Sequence, residues 1–322
     1  MRTRTARSSW SSRKRRSLPD STYRGRFAPS PTGPLHFGSL VAAVGSYLEA
    51  KIHNGAWLVR MEDLDTPRCV PGAADDILRT LEAFGLHWDE DVIYQSRRTT
   101  AYEEALHQLQ RLSAVYPCAC TRKEIADSAL HGIDGQIYPG TCRNGIPAGR
   151  EGRAWRVLTD SRPIEFDDTL QGFISQHLEH EIGDFVVKRA DGLFAYQLAV
   201  VVDDAFQKIT HVVRGADLLT STPRQIYLQQ LLGFPTPLYM HLPLAVNARG
   251  EKLSKQTMAA PVDAHKPQAA LWHALTFLRQ APPAELVGAD LKTLWSWATE
   301  NWNSEKLKGV ITLPALQDSG AD

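Results

Sequence analysis

Residues 24–39, RGRFAPSPTGPLHFGS, restrict this chain to a small group of folds. Pro29, Pro31 and Pro34 lack a backbone N–H and, with Gly33, force an extended exit and a turn where a helix could otherwise run. Helical spacing begins directly afterwards, with Leu40, Val41, Val44, Tyr47 and Leu48 on one face. A strand end, a turn and a helix N-terminus therefore meet around His36, Phe37, Gly38 and Ser39. In α/β folds such a junction binds phosphate, because unpaired N–H groups and the helix dipole favour anions.

The next segment, residues 56–61 (AWLVRM), reads as a buried strand. It runs into Glu62, Asp63 and Asp65, three carboxylates at a strand C-terminus. Helices are expected over 73–84 and 99–113, and strands over 154–158 and 185–188. The alternation predicts an α/β fold, a parallel sheet with helices on both faces. Neither a GxxxxGK[ST] loop nor a GxGxxG fingerprint occurs, so the familiar nucleotide signatures do not account for the phosphate-binding helix start. With 43% apolar and 22% charged residues the chain can build a sizeable core, and no apolar run approaches the ~18 residues of a membrane span. No membrane partner is expected.

Net charge is +0, but unevenly spread: Arg2, Arg4, Arg7, Arg13, Lys14, Arg15 and Arg16 all precede the first acidic residue, Asp20. Residues 1–21 are expected to be a disordered basic tail, too poor in apolar groups to offset their chain entropy. Without an apolar core they are no secretory signal; an organellar transit peptide fits their composition less well than a solvated tail able to touch phosphates. The remainder is net acidic, so contacts to nucleic acid would depend on local patches.

Cys118, Cys120 and Cys142 lie within one short Gly-rich stretch. In a reducing cytosol clustered thiols suggest a metal site before a disulfide, and Zn²⁺ closes small loops that lack a core. Spacing leaves the fourth ligand open, with His131 the conventional choice. Cys69 stands apart and is expected to be inert.

PSPTGPLHFGSL is similar to the HIGH motif of class I aminoacyl-tRNA synthetases in its glutamyl form, and Glu251–Gln256 (EKLSKQ) to the matching KMSKS motif. LVRMEDLDTP and HVVRGADLLTSTP, residues 58–67 and 211–223, resemble further blocks of glutamyl-tRNA synthetase. The resemblance runs from about Tyr23 to Gln256 and implies a class I Rossmann-type catalytic domain with ATP as substrate and magnesium beside it. It implies that His36, Gly38 and Ser39, with Lys252 and Lys255, bind ATP, and that His36, Lys252 and Lys255 are catalytic. Lysines on a loop opened by Gly250 can close over the β- and γ-phosphates, where charge builds during adenylate formation. Ser39 replaces the family's second histidine, as is common in the glutamyl branch.

The resemblance also assigns glutamate to Arg26, Phe27, Ala28, Pro29, Ser30, Glu62, Tyr196 and Arg214. Glu62 would hold the ammonium; Arg214, helped by Arg26 and Tyr196, would read the side-chain carboxylate through guanidinium geometry. Val200 stands where full-length enzymes carry Asn, which suggests weaker glutamate binding. For the metal, the resemblance points to Tyr138 as the ligand beside Cys118, Cys120 and Cys142.

The expected organisation is a first Rossmann half over 22–113, a zinc-containing insertion over 114–191 that in the family holds tRNA, a second half over 192–235, and a loop with a short helical C-terminal region over 236–322. Helices at 267–280 and 289–302 are expected there, with Trp295, Trp297 and Trp302 as packing residues. Residues 256–322 are too few for an anticodon-binding domain. This shortened architecture resembles the glutamyl-queuosine tRNA(Asp) synthetases, which activate glutamate without tRNA and transfer it to queuosine in tRNA(Asp). A minimal enzyme charging a 3′ end and an inactive glutamate-binding regulator are the competing readings. A cytoplasmic monomer is expected.

Overall fold

The computed structural model describes residues 23–126, 131–132, 135–247, 249–251 and 261–315. The basic tail expected over 1–21, together with Lys252 and Lys255, lies outside the described residues. The first half runs β1 (Arg24–Phe27), α1 (Phe37–Ile52), β2 (Ala56–Met61), α2 (Ala73–Ala83), β3 (Ile93–Tyr94) and α3 (Thr99–Arg111). β1, β2 and β3 pair in parallel, with Arg26 opposite Leu58 and Met61 opposite Tyr94. Gly55 permits the tight entry into β2: a Cβ there would stand 2.4 Å from the Tyr23 carbonyl oxygen.

The chain then leaves the sheet through β4 (Val115–Cys118), α4 (Arg122–Ala126), β5 (His131–Gly132), β6 (Gly135–Gln136), β7 (Ala154–Val157), β8 (Ile164–Asp168), β9 (Gly172–Gln176), α5 (Leu178–Glu181) and β10 (Val186–Lys188). β7 is flanked antiparallel by β4 and β10. The second half follows as α6 (Tyr196–Phe206), β11 (His211–Gly215), α7 (Thr222–Leu232), β12 (Leu238–Leu242) and β13 (Leu244–Val246). β11 and β12 are parallel, and the Thr210 N–H donates to the Arg24 carbonyl at 3.0 Å, which sets β11 beside β1. The hairpin β8–β9 joins this sheet rather than standing apart in the insertion: Asp168 pairs with Tyr239, and the Thr169 N–H donates to the Tyr239 carbonyl at 2.9 Å.

Alternation along the strands separates two apolar clusters, one on each sheet face. Trp57, Val59, Met61, Val213, Met240 and Leu242 join one cluster with α1 and α2; Leu58, Val212 and Tyr239 join the other with α3, α6 and α7. α1 is buried almost all round, from Leu40 to Ala50, because α8 (Pro267–Phe277) and α9 (Leu291–Asn301) cover the side that the sheet does not. The tryptophans act in packing: Trp295 Nε1 donates to the Phe84 carbonyl at 2.8 Å, and Trp302 Nε1 to the buried Glu49 carboxylate at 2.7 Å. A last strand, β14 (Thr312–Pro314), pairs in parallel with β13, an element absent from the sequence reading.

Candidate active site and metal centre

The strand order reverses between β1 and β11, and open α/β sheets bind ligands outside the carboxyl ends of their strands at such a point. A cleft of about 920 Å³ opens there. Arg26, Phe27, Ala28, Pro29, Ser30, His36, Gly38, Ser39, Glu62, Tyr196 and Arg214 all line it, so the structure gathers every described residue expected to hold glutamate or ATP around one cavity. Asp217 and Arg68, the latter not singled out in the sequence, line it as well.

At the helix start His36 is the N-cap of α1. Its Nδ1 accepts the Ser39 N–H at 3.3 Å, and its Nε2 lies 3.2 Å from Ser39 Oγ. Accepting at Nδ1 puts the ring proton on Nε2, directed at the Ser39 hydroxyl. Pro261 pairs with His36 as an antiparallel bridge, and the Val262 N–H donates to the Leu35 carbonyl at 2.9 Å. On the other side, Asn247 and Glu251 close a turn through backbone and side-chain hydrogen bonds. The described residues flanking the lysine motif are thus tied down, with Pro261 held at the cleft wall itself.

Two buried charge systems set the electrostatics of the cleft. In the first, Arg26 meets Asp204 through Nε at 3.1 Å and Nη2 at 3.4 Å. Arg60, wholly buried, reaches Asp204 at 2.8 Å, Gln207 at 2.7 Å and Glu62 at 3.3 Å. Burial pushes Asp204 upward, but Arg26 and Arg60 outweigh it and hold its carboxyl below the usual range. Burial raises the Glu62 carboxyl, against the pull of Arg60 and Arg26. Glu62 is therefore a carboxylate whose negative form a cationic ligand would stabilise strongly. Asp203, next in the chain to Asp204, stands 4.0 Å from Arg60 Nε and receives Gln95, Arg98 and Tyr102 at 2.6–2.8 Å.

Arg214 forms the second system. Its side chain is buried and makes four hydrogen bonds, all to uncharged partners: His241 Nε2 at 3.1 Å, Tyr196 Oη at 3.3 Å, the Leu218 carbonyl at 3.4 Å and Thr222 Oγ1 at 2.8 Å. Arg26 is already paired with Asp204, so Arg214 carries more of the positive charge offered to a ligand. Val200 is fully buried in the apolar cluster that α6 shares with α3 and α7.

In the insertion, the sulfurs of Cys118, Cys120 and Cys142 all lie within 4.8 Å of one another. The Tyr138 hydroxyl stands 3.4 Å from Cys118 Sγ and 3.5 Å from Cys120 Sγ, while Cys120 and Cys142 Sγ are 3.7 Å apart. A tetrahedral zinc with Zn–S of ~2.3 Å and Zn–O of ~2.0 Å spaces sulfurs by ~3.8 Å and sulfur from oxygen by ~3.5 Å. The cluster therefore fits such an ion, with Tyr138 at the fourth corner; of His131 only the backbone, paired with Gln136, is described. Around it the Cys142 N–H donates to Tyr138 Oη at 2.9 Å and Arg156 Nε to Cys118 Sγ at 3.3 Å. Asp184 ties this cluster to the β7 sheet by accepting from Arg143, Tyr116 and both N–H and Oγ1 of Thr159.

The family of class I tRNA synthetases (E and Q), catalytic domain, matches residues 22–275. A Dechloromonas aromatica protein named glutamyl-Q tRNA(Asp) synthetase is 61% identical over 92% of this chain and 100% of its own length. The protein of that name from Thiobacillus denitrificans is 59% identical over 90% of this chain and 97% of its own. Among solved structures, the glutamate-tRNA synthetase of Elizabethkingia anophelis shares the fold at a TM-score of 0.75 and 24% identity, covering 91% of this chain and 68% of that one. The chain accordingly belongs to the class I tRNA synthetases of the E and Q type, among the glutamyl-Q tRNA(Asp) synthetases.

Proposed function

We propose that this chain activates glutamate with ATP, without tRNA, and transfers it to the queuosine base in the anticodon of tRNA(Asp). The observation that carries the proposal is the cleft, in which a helix N-terminus, a buried carboxylate and a guanidinium with uncharged partners line one cavity. The names of relatives matched over nearly their whole length support the choice of acceptor.

In the first step a glutamate α-carboxylate oxygen attacks the α-phosphorus, forming the acyl–O–P bond as the bond to the β-phosphate breaks and pyrophosphate leaves. The amides at the start of α1 and His36 would receive the phosphates, with Lys252 and Lys255 opposite them as cations. Glu62 would take the glutamate ammonium. Arg214, with Tyr196 and the Nη1 of Arg26, would read the distal carboxylate. In the second step a queuosine ring hydroxyl attacks the activated carbonyl, loses its proton, and AMP departs.

Zinc held by Cys118, Cys120, Cys142 and Tyr138 would supply structure, fixing loops whose own apolar cluster is small. No helix among the described residues is long and apolar enough to cross a membrane.

The test is transfer of labelled glutamate to tRNA(Asp) with and without queuosine, before and after enzymatic removal of the 3′-terminal adenosine. Transfer that survives trimming and requires queuosine supports the proposal. Transfer lost on trimming alone identifies a 3′-end synthetase, and absence of glutamate-dependent ATP–pyrophosphate exchange identifies a binding module.

A further inference from the structure

Five N–H groups radiate from an arginine guanidinium. Arg214 commits four of them to protein acceptors, leaving, among the described residues, one Nη1 N–H without a protein partner. One acceptor is unusual: Nε2 of His241, an imidazole with no exposed surface. A neutral imidazole accepts at Nε2 only if its proton sits on Nδ1, and that choice is made by whatever faces Nδ1. Here it is Asp168 Oδ2, at 2.6 Å.

Asp168 has no freedom to exchange its two oxygens. Oδ1 receives the backbone N–H groups of Leu170 at 3.0 Å, Gln171 at 2.9 Å and His241 at 3.3 Å. With three donors converging on Oδ1, Oδ2 is left for the ring. An ionised carboxylate only accepts, so the ring must donate to it. The order of donation is then fixed from end to end: His241 Nδ1–H to Asp168, and Arg214 Nε–H to His241 Nε2.

We propose that Asp168 and His241 are positioning residues for amino-acid selection: together they hold an unprotonated Nε2 against Arg214 and so aim its remaining Nη1 donor at the side-chain carboxylate of glutamate. The inference rests on Arg214 being the reader of that carboxylate. It adds that the reader is oriented by a strand pair formed between the insertion and the catalytic sheet, since Asp168 ends β8 and His241 lies on β12.

Asp168→Asn changes this order with little change in shape. The amide oxygen stays with the three backbone N–H groups, where an NH₂ would face three donors. The NH₂ therefore faces Nδ1 and forces the ring proton onto Nε2. That proton has the Thr222 hydroxyl at 3.2 Å to receive it, while Arg214 Nε–H, 3.1 Å from the same ring nitrogen, loses its acceptor and with it the hold on the guanidinium. His241→Gln works in the opposite sense, because its amide oxygen can stand near the former Nε2 and accept from Arg214 without help from Asp168. His241→Leu removes the acceptor altogether.

The experiment has two arms on the full chain. Ring ¹⁵N spectra of the wild type should give His241 as the Nδ1–H tautomer, and Asp168→Asn should move the proton to Nε2. In glutamate-dependent ATP–pyrophosphate exchange, Asp168→Asn and His241→Leu should raise KM for glutamate ~10-fold or more while KM for ATP stays within about twofold. His241→Gln should stay within about threefold of wild type for both. An Nε2–H tautomer in the wild type, an unchanged glutamate KM in His241→Leu, or parallel rises in both Michaelis constants would each overturn the proposal. A wild type that shows the Nδ1–H tautomer but no glutamate-dependent exchange would instead defeat the functional reading on which it rests.

Discussion

Replacing Arg214 with alanine tests the pocket at its most exposed premise. The guanidinium is buried, and its four partners are uncharged groups that would lose a donor together. Truncating one partner of a buried, hydrogen-bonded charge pair costs about 2–5 kcal/mol. If glutamate's side-chain carboxylate is the other partner, kcat/KM for glutamate in ATP–pyrophosphate exchange should fall ~30- to ~5,000-fold, since each 1.4 kcal/mol is about tenfold. Glutamine, with a neutral amide, never formed that ion pair and should lose far less, so discrimination against it collapses. Arg214→Lys keeps a positive charge without the planar fork and should fall between alanine and wild type. Thermal melting beside the kinetics separates a ligand effect from loss of fold. An alanine variant that melts near wild type and retains kcat/KM for glutamate within about threefold would refute the assignment of Arg214.

Three further outcomes are expected. Lys255→Ala should lower glutamate-dependent exchange ~10²-fold or more if this lysine stabilises charge developing on the phosphates, and an unchanged rate would remove it from that role. Protein purified without chelator should carry one zinc per chain, and Cys118→Ser should lose the metal and impair transfer to tRNA more than glutamate activation; elemental analysis of the purified wild type finding no zinc would refute the site. Burial, then its neighbour His53, pushes His211 from 6.5 down to about 4. The native state therefore resists protonation, so the stability due to neutral His211 is complete above pH 6.5 and lost as pH falls through about 4; urea melts of His211→Phe should be flatter over that window, and an identical slope would count against the shift.

The site residues were legible in the sequence through their resemblance to glutamyl-tRNA synthetase motifs, and local backbone rules account for part of their placement. A proline-rich turn and a helix start put Arg26, Ser30, His36 and Ser39 at one rim whatever the rest of the chain does, and a strand end puts Glu62 beside them. Their electrostatic partners were not legible because pairing spans great chain distances: Arg26 and Asp204 are 178 residues apart. A signal did exist. Arg60 interrupts an otherwise apolar strand, AWLVRM, and Asp203 and Asp204 end the apolar run of YQLAVVVDDAF. Charges inside buried elements require partners, which would have paired these positions by elimination. The hairpin β8–β9 was hidden by its place in the chain: nothing local in IEFDDTLQGFISQ says that it will pair with a strand seventy residues later.

That hairpin limits how the protein can be divided. Enzymes of this architecture invite the picture of interchangeable parts, a catalytic engine into which different acceptor-gripping cassettes are spliced. Here a cassette cut at the chain crossings near 114 and 191 would take Asp168 with it and leave His241 facing whatever the donor supplies. A chimera made at those seams would then fail in choosing its amino acid, although the exchange was meant to alter only the choice of nucleic acid. Seams drawn inside the excursion, with 164–176 kept native, leave the recipient's amino-acid reader intact, so the unit of exchange is smaller than the unit of insertion.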